Sequence, residues 1–213
     1  MLTNANRIIN KLDELFLIYS TDSDVMCITE SWLSPQVPDS AVRMPDFVLH
    51  RRDRTDGIGG GVMCYVRSSI YSKAVQPDVS AVNDFEVLWV LTRPKCLPRP
   101  LSVIIFVVVY APPWYDVSTR RELSNYIMAG IYFFSSKFTN AGFFVVGDYN
   151  QLDTTFLEKR LRFKQLVKNN TRREKILDKI FTNLFSYYGD AAVLPPLGKS
   201  DHNCVVIRPE SVR

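Results

Sequence analysis

The sequence predicts an α/β protein built on a core of two packed β-sheet layers with helices outside them. Three observations carry that expectation. Short apolar runs of strand-like composition recur from Val25 to Ile207, some alternating and some continuous. Between some of them lie stretches with apolar residues at helical spacing, which is the pattern of helices packed on a sheet. Several apolar runs end abruptly in an isolated polar residue, the place where sheet scaffolds commonly present binding groups.

The totals set the frame. A chain of 213 residues with 46% hydrophobic content fits one domain spanning 1–213 and excludes a disordered chain. The net charge of +4 is a mild lean toward polyanions. Cys27, Cys64, Cys96 and Cys204 form no Cys-x-x-Cys pair, and three sit in strand-like runs. They read as free thiols in a reducing compartment, not as a zinc site. The first residues, Met1-Leu2-Thr3-Asn4, lack a basic-then-apolar signal, and the longest apolar run, Val103 to Val109, is too short to span a bilayer. A soluble intracellular protein is expected, with no membrane partner.

In chain order, Arg7 to Tyr19 places Ile8, Ile9, Leu12, Leu15 and Phe16 at helical spacing, with Asn4 just before it. Val25 to Thr29 is a buried-type strand ending at Glu30. Leu33 to Pro45, broken by three prolines, is loop. Phe47 to His50 and Val62 to Val66 are strands around a glycine-rich turn, Gly57 to Gly61. Phe85 to Thr92 and Leu101 to Tyr110 follow, and the second ends where Pro112-Pro113 stops the ladder. Thr119 to Phe138 is a helix. Phe143 to Val146 is a buried strand leading into Gly147-Asp148-Tyr149-Asn150. A basic helical stretch, Glu158 to Lys168, comes next, then Ile176-Leu177-Asp178, an undecided segment Phe181 to Tyr188, and a strand near Ala191 to Leu194. The last motif, Gly198-Lys199-Ser200-Asp201-His202-Asn203, sits before the apolar Cys204 to Ile207.

The polar strand ends are Glu30, Tyr110, Asp148 with Asn150, Asp178, and Asp201 with His202. Taken singly, each has an ordinary explanation: Glu30 a solvated carboxylate, Tyr110 a strand-end aromatic, Gly147 to Asn150 a turn. His50, mid-strand without a paired carboxylate, has no expected part in catalysis. As a set they are harder to dismiss. Carboxylates and an asparagine amide are hard oxygen donors that suit Mg²⁺, and a divalent ion polarises a phosphoryl oxygen. A second carboxylate can position a water, and a histidine–aspartate pair can stabilise charge growing on a phosphate. The inventory fits metal-assisted phosphodiester hydrolysis. A nucleophile elbow, a Walker A loop and a zinc histidine pair are all absent from the sequence.

Six ordered phrases also carry a family resemblance: Thr29-Glu30-Ser31-Trp32-Leu33, Gly59-Gly60-Gly61-Val62, Tyr110-Ala111-Pro112-Pro113, Gly147-Asp148-Tyr149-Asn150, Leu177-Asp178-Lys179-Ile180-Phe181-Thr182-Asn183 and Ser200-Asp201-His202-Asn203. From Asn4 to Ile207 the chain resembles the endonuclease/exonuclease/phosphatase superfamily, and more narrowly the apurinic-type endonuclease domain of LINE-like non-LTR retrotransposons. The resemblance implies a four-layer α/β sandwich of two packed mixed β-sheets flanked by helices. It implies Mg²⁺ as the cofactor, with Mn²⁺ as a substitute, held by Glu30 with help from Asn4 and Asp201. Asp148 would activate the attacking water, Asn150 would orient it, Tyr110 and His202 would contact the phosphate, and Asp178 would hold the His202 ring. The implied reaction nicks double-stranded DNA and leaves a 3′-hydroxyl that primes reverse transcription, so a reverse transcriptase region of a longer polyprotein and the nucleus are the implied partner and place. In such elements a polymerase region normally follows. This chain ends eleven residues after His202, which implies an excised domain or a fragmentary element copy. The family usually has a full apolar strand before the position of Asn4, where this chain has only Met1-Leu2-Thr3. In the repair enzymes a second asparagine sometimes follows the Tyr-x-Pro turn, where this chain has Pro113 and Trp114.

Between Asp148 and Asp178, the stretch Lys159, Arg160, Arg162, Lys164, Lys168, Arg172, Arg173 and Lys175 is opposed only by Glu158 and Glu174. Such a run is commonly a solvated face. Beside a phosphodiesterase site, DNA contact is the better expectation, centred on Arg160, Arg162, Lys164, Arg172 and Arg173. Two rival functions stand beside the nuclease: another hydrolase of the same superfamily acting on phosphoinositides or sphingomyelin, and an inactive, co-opted DNA-binding remnant.

Overall fold

The computed structural model describes residues 1–81 and 84–210. Two six-stranded mixed sheets lie face to face. The first contains β1 (Leu2–Asn4), β2 (Val25–Thr29), β3 (Phe47–Arg52), β4 (Val62–Arg67), β11 (Ala192–Pro196) and β12 (Asn203–Val206), in the order β11-β12-β1-β2-β4-β3. The second contains β5 (Tyr71–Val75), β6 (Val87–Arg93), β7 (Ile104–Tyr110), β8 (Gly142–Asp148), β9 (Lys164–Gln165) and β10 (Asp178–Thr182), in the order β5-β6-β7-β8-β10-β9. Helix α1 (Leu12–Tyr19) covers the outer face of the first sheet, and α2 (Val117–Lys137) with the short α3 (Thr155–Lys159) covers the second.

Three apolar layers hold the sandwich together, and alternation along each strand assigns its residues to them. On β7, Ile104 and Val108 face the first sheet, meeting Leu2, Cys27, Cys64 and Val205, while Ile105, Val107 and Val109 face α2. The expectation that this strand is buried on both faces is met. Helix α2 answers with Leu123, Ile127, Ile131 and Phe134, a single stripe at three- and four-residue spacing. Burying each of these side chains contributes about 1.5–3 kcal/mol. Asp116 caps the helix by accepting from the Thr119 amide at 2.7 Å. On the other side, Met26, Ile28, Met63 and Tyr65 pack beneath Ile8, Leu15 and Tyr19.

The strands ending at Glu30, Tyr110 and Asp148 lie where the sequence places them, whereas Asp178 opens the strand Asp178–Thr182 and does not close an apolar stretch, and other elements differ for identifiable reasons. The first helix begins at Leu12, preceded by a 3-10 turn over Ile9–Lys11, and not at Arg7. Asn6 and Arg7 have φ of 41° and 76°, which no α-helix can pass through. The basic stretch Glu158 to Lys168 is not a helix. Only Thr155–Lys159 is helical, and Arg162 is left-handed at φ 56°. Phe163 then turns into the core, and Lys164–Gln165 pairs with β10 as an edge strand. Strand β5 went unpredicted because it is a largely solvent-facing edge with weak apolar patterning. The proline-broken loop holds a 3-10 turn, Asp39–Val42, pinned where the Tyr65 hydroxyl donates to the Val42 carbonyl at 2.5 Å. The short β1 pairs in parallel with β2 and antiparallel with β12, so three residues suffice to seat it inside the sheet. Cys27, Cys64 and Cys204 are buried free thiols, whereas Cys96 is exposed.

Candidate active site

Strand direction gathers the polar residues of both sheets at one edge of the sandwich. Parallel pairing of β1 with β2 sets Asn4 beside Thr29, so Asn4 and Glu30 emerge together. Strand β12 runs antiparallel to β1, so its start, just after His202, lies at that same end. In the second sheet, parallel pairing sets Tyr110 beside Asp148, and antiparallel β10 starts with Asp178 directly opposite Asp148. Residues up to 198 positions apart in sequence thereby converge, from Asn4 to His202.

The side chains form one connected network. The Asn4 amide donates to Glu30 Oε1 at 2.9 Å and to Asp148 Oδ2 at 3.0 Å. His202 Nδ1 lies 2.7 Å from Asp178 Oδ2, and an ionised carboxylate there requires that Nδ1 carry the proton. The other ring nitrogen, Nε2, then points into the site, 3.9 Å from Asp148 Oδ2. Asp148 Oδ1 accepts the Asn150 backbone amide at 3.1 Å, and the Asn150 side chain donates to the Ala111 carbonyl at 3.1 Å, tying the ends of β7 and β8 together. The Trp32 indole donates to Glu30 Oε2 at 3.2 Å.

Local backbone is held in unusual conformations here. Glu30, Trp32 and Asn150 have φ of 51°, 55° and 42°, a region non-glycine residues occupy at a cost and chiefly where surrounding structure enforces it. Gly147, just before Asp148, has no alternative: a Cβ there would lie 1.8 Å from the Val109 carbonyl oxygen. The glycine lets β7 and β8 close up at the row that carries Tyr110 and Asp148.

Burial governs the electrostatics. Asn4, Asp148, Asp178 and His202 are each at most 2% exposed. Burial, and then the neighbouring Asp178 charge, push the Asp148 carboxyl up to about 7, against the pull of His202 and Asn4. Burial alone would lower the His202 ring, but the hydrogen bond and charge of Asp178, with Asp148 behind it, raise it above its ordinary value. Tyr110 is pushed up by burial and by the Glu30 and Asp148 charges, so its phenol keeps its proton.

This donor set fits a hard divalent cation. Ligand atoms of Asp148, Asp178 and His202 lie within 4.8 Å of one another, Asp178 Oδ1 is buried without a hydrogen-bond partner, and Glu30 Oε1 accepts from the same Asn4 amide nitrogen that bonds Asp148, so the carboxylate oxygens are the donors a hard cation would use. Carboxylates crowded in this way, with one histidine to offset them, favour a bound cation.

Not every expected residue joins the centre. Asp201 is half exposed and its Oδ2 is taken by Arg172, at 2.8 Å from Nε and 2.5 Å from Nη2. Its Oδ1 is 4.0 Å from His202 Nε2. The Arg172 guanidinium lowers the Asp201 carboxyl against the opposing effect of its partial burial. Arg173 and Lys175 line a depression of about 650 Å³ with Arg172, Asn150 and Gln151. Arg160 lines a separate cleft between α2 and α3, and Arg162 and Lys164 line neither.

Three supporting residues escaped sequence reasoning. Thr171 accepts the Leu177 and Asp178 amides on Oγ1, both at 3.0 Å, while its carbonyl accepts the Asn203 amide at 2.7 Å, so it sets Asp178 against His202. The Ser200 hydroxyl donates to the Asn4 carbonyl at 2.7 Å and accepts the His202 amide at 3.2 Å. Glu86 accepts the Gly61 amide and the Arg54 guanidinium, and Arg54 lies 5.8 Å from the Tyr110 ring and 4.9 Å from the Trp114 ring. Ser200 lies inside the final phrase and was legible in principle. Thr171 and Glu86 act across distant loops and leave no local signal.

Comparison with known proteins agrees with this fold. Among solved structures, the chain aligns with the 3′-5′ exonuclease NExo from Neisseria meningitidis at 12% identity and a TM-score of 0.72, covering 99% of this chain and 98% of that one. The catalytic domain of APE2 from Xenopus laevis aligns at 16% identity and a TM-score of 0.64, covering 98% and 91%. An AP endonuclease from Archaeoglobus fulgidus aligns at 11% identity and a TM-score of 0.64, covering 99% and 98%. At these identities the likeness is one of fold. No curated protein sequence matches the chain. The profile of the Endonuclease/Exonuclease/phosphatase family matches residues 3–202, a span that runs from β1 to His202, and the protein belongs to that family.

Proposed function

We propose that the protein is a Mg²⁺-dependent endonuclease, folded as one domain, that nicks one strand of double-stranded DNA and leaves a 3′-hydroxyl. The observation that carries this reading is the buried network Glu30–Asn4–Asp148 with the His202–Asp178 pair, built from both sheets at one edge. Glu30 would hold the metal, Asn4 would join by turning its Oδ1 from the Asn6 amide into the site, and Asp201 would join if it left Arg172; Mn²⁺ has the same preference for oxygen. A bound divalent ion would polarise the phosphoryl oxygen.

The chain's own groups account for the remaining work. Asp148, with a carboxyl near 7, is tuned to take a proton from water around neutral pH. Asn150, fixed to Ala111, would orient that water. His202, whose protonated form Asp178 favours, would face the phosphate oxygens where negative charge grows, and the Tyr110 hydroxyl would donate beside it.

The finer assignment, to the endonuclease of a LINE-like non-LTR retrotransposon, is supported by the Phe181-Thr182-Asn183 and Leu197-Gly198-Lys199-Ser200-Asp201-His202-Asn203 phrases. On that reading the 3′-hydroxyl primes reverse transcription by a polymerase region of the same polyprotein, and the work is done in the nucleus. Conversion of supercoiled plasmid to open circles with Mg²⁺, its loss in EDTA, and ligation of the product by DNA ligase after 5′-end checking would test the reaction. Release of inorganic phosphate without nicking would point instead to a phosphatase.

A further inference from the structure

A cleft of about 620 Å³ runs between α2 and α3, outside the network described above. Four cations line it, Arg120 and Arg121 from α2 and Lys159 and Arg160 from the end of α3. The one carboxylate in the lining, Asp153, is occupied by the Thr155 amide at 2.9 Å and the Thr155 hydroxyl at 3.0 Å. The cleft is not isolated. Gln151 also lines the Arg172–Arg173–Lys175 depression, so the two depressions share a wall at the residue after Asn150. Arg120 fixes that junction, its Nη1 donating to the Gln151 carbonyl at 3.1 Å and to the Gln151 side-chain oxygen at 3.0 Å. Two cationic depressions therefore flank Gln151, the residue after Asn150, and a pair of basic surfaces on either side of one residue suits a chain of regularly spaced anions more than a single small ligand.

We propose that the α2–α3 cleft is a groove for the sugar-phosphate backbone of a DNA strand flanking the cut, with Arg121 and Lys159 as phosphate contacts and Arg120 as the residue that couples the groove to the Asn150 turn. The proposal rests on the nuclease reading and names where its substrate extends. The sequence flags only the α3 side, through Lys159 and Arg160 of the basic run; Arg120 and Arg121 lie in a different helix, and their part in the groove leaves no sequence signal.

The test is duplex binding measured by fluorescence anisotropy in EDTA, with a labelled duplex of about 30 base pairs, for the wild type and the Arg121→Ala/Lys159→Ala double variant. Hydrolysis of thymidine 5′-p-nitrophenyl phosphate, which has no flanking phosphates, is measured alongside with Mg²⁺. The double variant should bind the duplex about tenfold more weakly at moderate salt, with a log Kd against log salt slope smaller by about two units. Its hydrolysis of the small ester should match the wild type. An unchanged salt slope would overturn the groove, and would be the result if the cleft instead received an acidic peptide. Equal losses on duplex and ester would also overturn it, because the two residues would then act through the site's structure. Failure of the nuclease reading looks different: the wild type would bind duplex with a steep salt slope yet nick none.

Discussion

A single buried side chain, Asn4, reaches Asp148 across the sandwich, with Nδ2 3.0 Å from Oδ2, and so joins the first sheet to the second. Its other amide hydrogen goes to Glu30. Both carboxylates lean on a group that is 1% exposed, so removing it strands the buried Asp148 acceptor and the partly buried Glu30 one.

Asn4→Ala should therefore destabilise the fold by about 1–3 kcal/mol, the range for stranding a buried polar partner. Urea unfolding at pH 7 reads this directly. Lowering the pH toward 5 should narrow the gap between variant and wild type, because a protonated Asp148 needs the amide less. A gap that stays constant with pH would mean that Asn4 contributes by packing alone.

Glu30→Gln keeps the side chain's size and its position beside Asn4 and Trp32 while removing the charge. Plasmid nicking should fall by orders of magnitude, and the thermal midpoint should stay within a few degrees of the wild type. Nicking that survives at low Mg²⁺ would remove Glu30 from the metal's ligands.

The pH dependence follows from two raised groups. Asp148 must lose its proton to act as a base, so activity should rise with pH through the value of that carboxyl, about 7 without metal. His202 must keep its proton, so activity should fall as pH climbs through its raised value. Asp178→Asn removes the charge that raises both groups. At constant Mg²⁺, both limbs of the kcat/KM profile should move to lower pH, with little change in DNA binding. Movement of one limb alone would show that Asp178 faces only one of the two groups electrostatically.

In the basic region, Arg172, Arg173 and Lys175 are the cations that line the depression beside Asn150. Arg173→Ala with Lys175→Ala should weaken duplex binding and shrink the salt slope by about two units, since both line the depression beside Asn150.

The sheet core was legible because buried strands such as Ile104–Tyr110 and Gly142–Asp148 are apolar enough to stand out, and each ends in a polar residue at the site. Edge strands were not legible: Tyr71–Val75 faces solvent and has no pattern to read. The basic stretch after Asp148 misled, since its charges look helical in spacing while Arg162 bends the backbone left-handed and Phe163 anchors the turn in the core. Within the site, the motif residues were readable as a set of polar strand ends, not one by one. The Arg172–Asp201 pair and the Thr171 and Glu86 supports were not, because each depends on loops meeting in three dimensions.

The most direct test of the central claim is plasmid nicking with Mg²⁺ by the wild type and by His202→Ala, with duplex affinity measured in parallel. A metal-dependent endonuclease in which His202 faces the phosphate predicts nicking by the wild type that EDTA abolishes. It predicts a loss of about 10²–10³-fold in the chemical step for His202→Ala, with affinity nearly intact. Wild-type protein that binds duplex DNA but leaves supercoiled plasmid uncut at any Mg²⁺ concentration would contradict the claim and leave a DNA-binding remnant in its place.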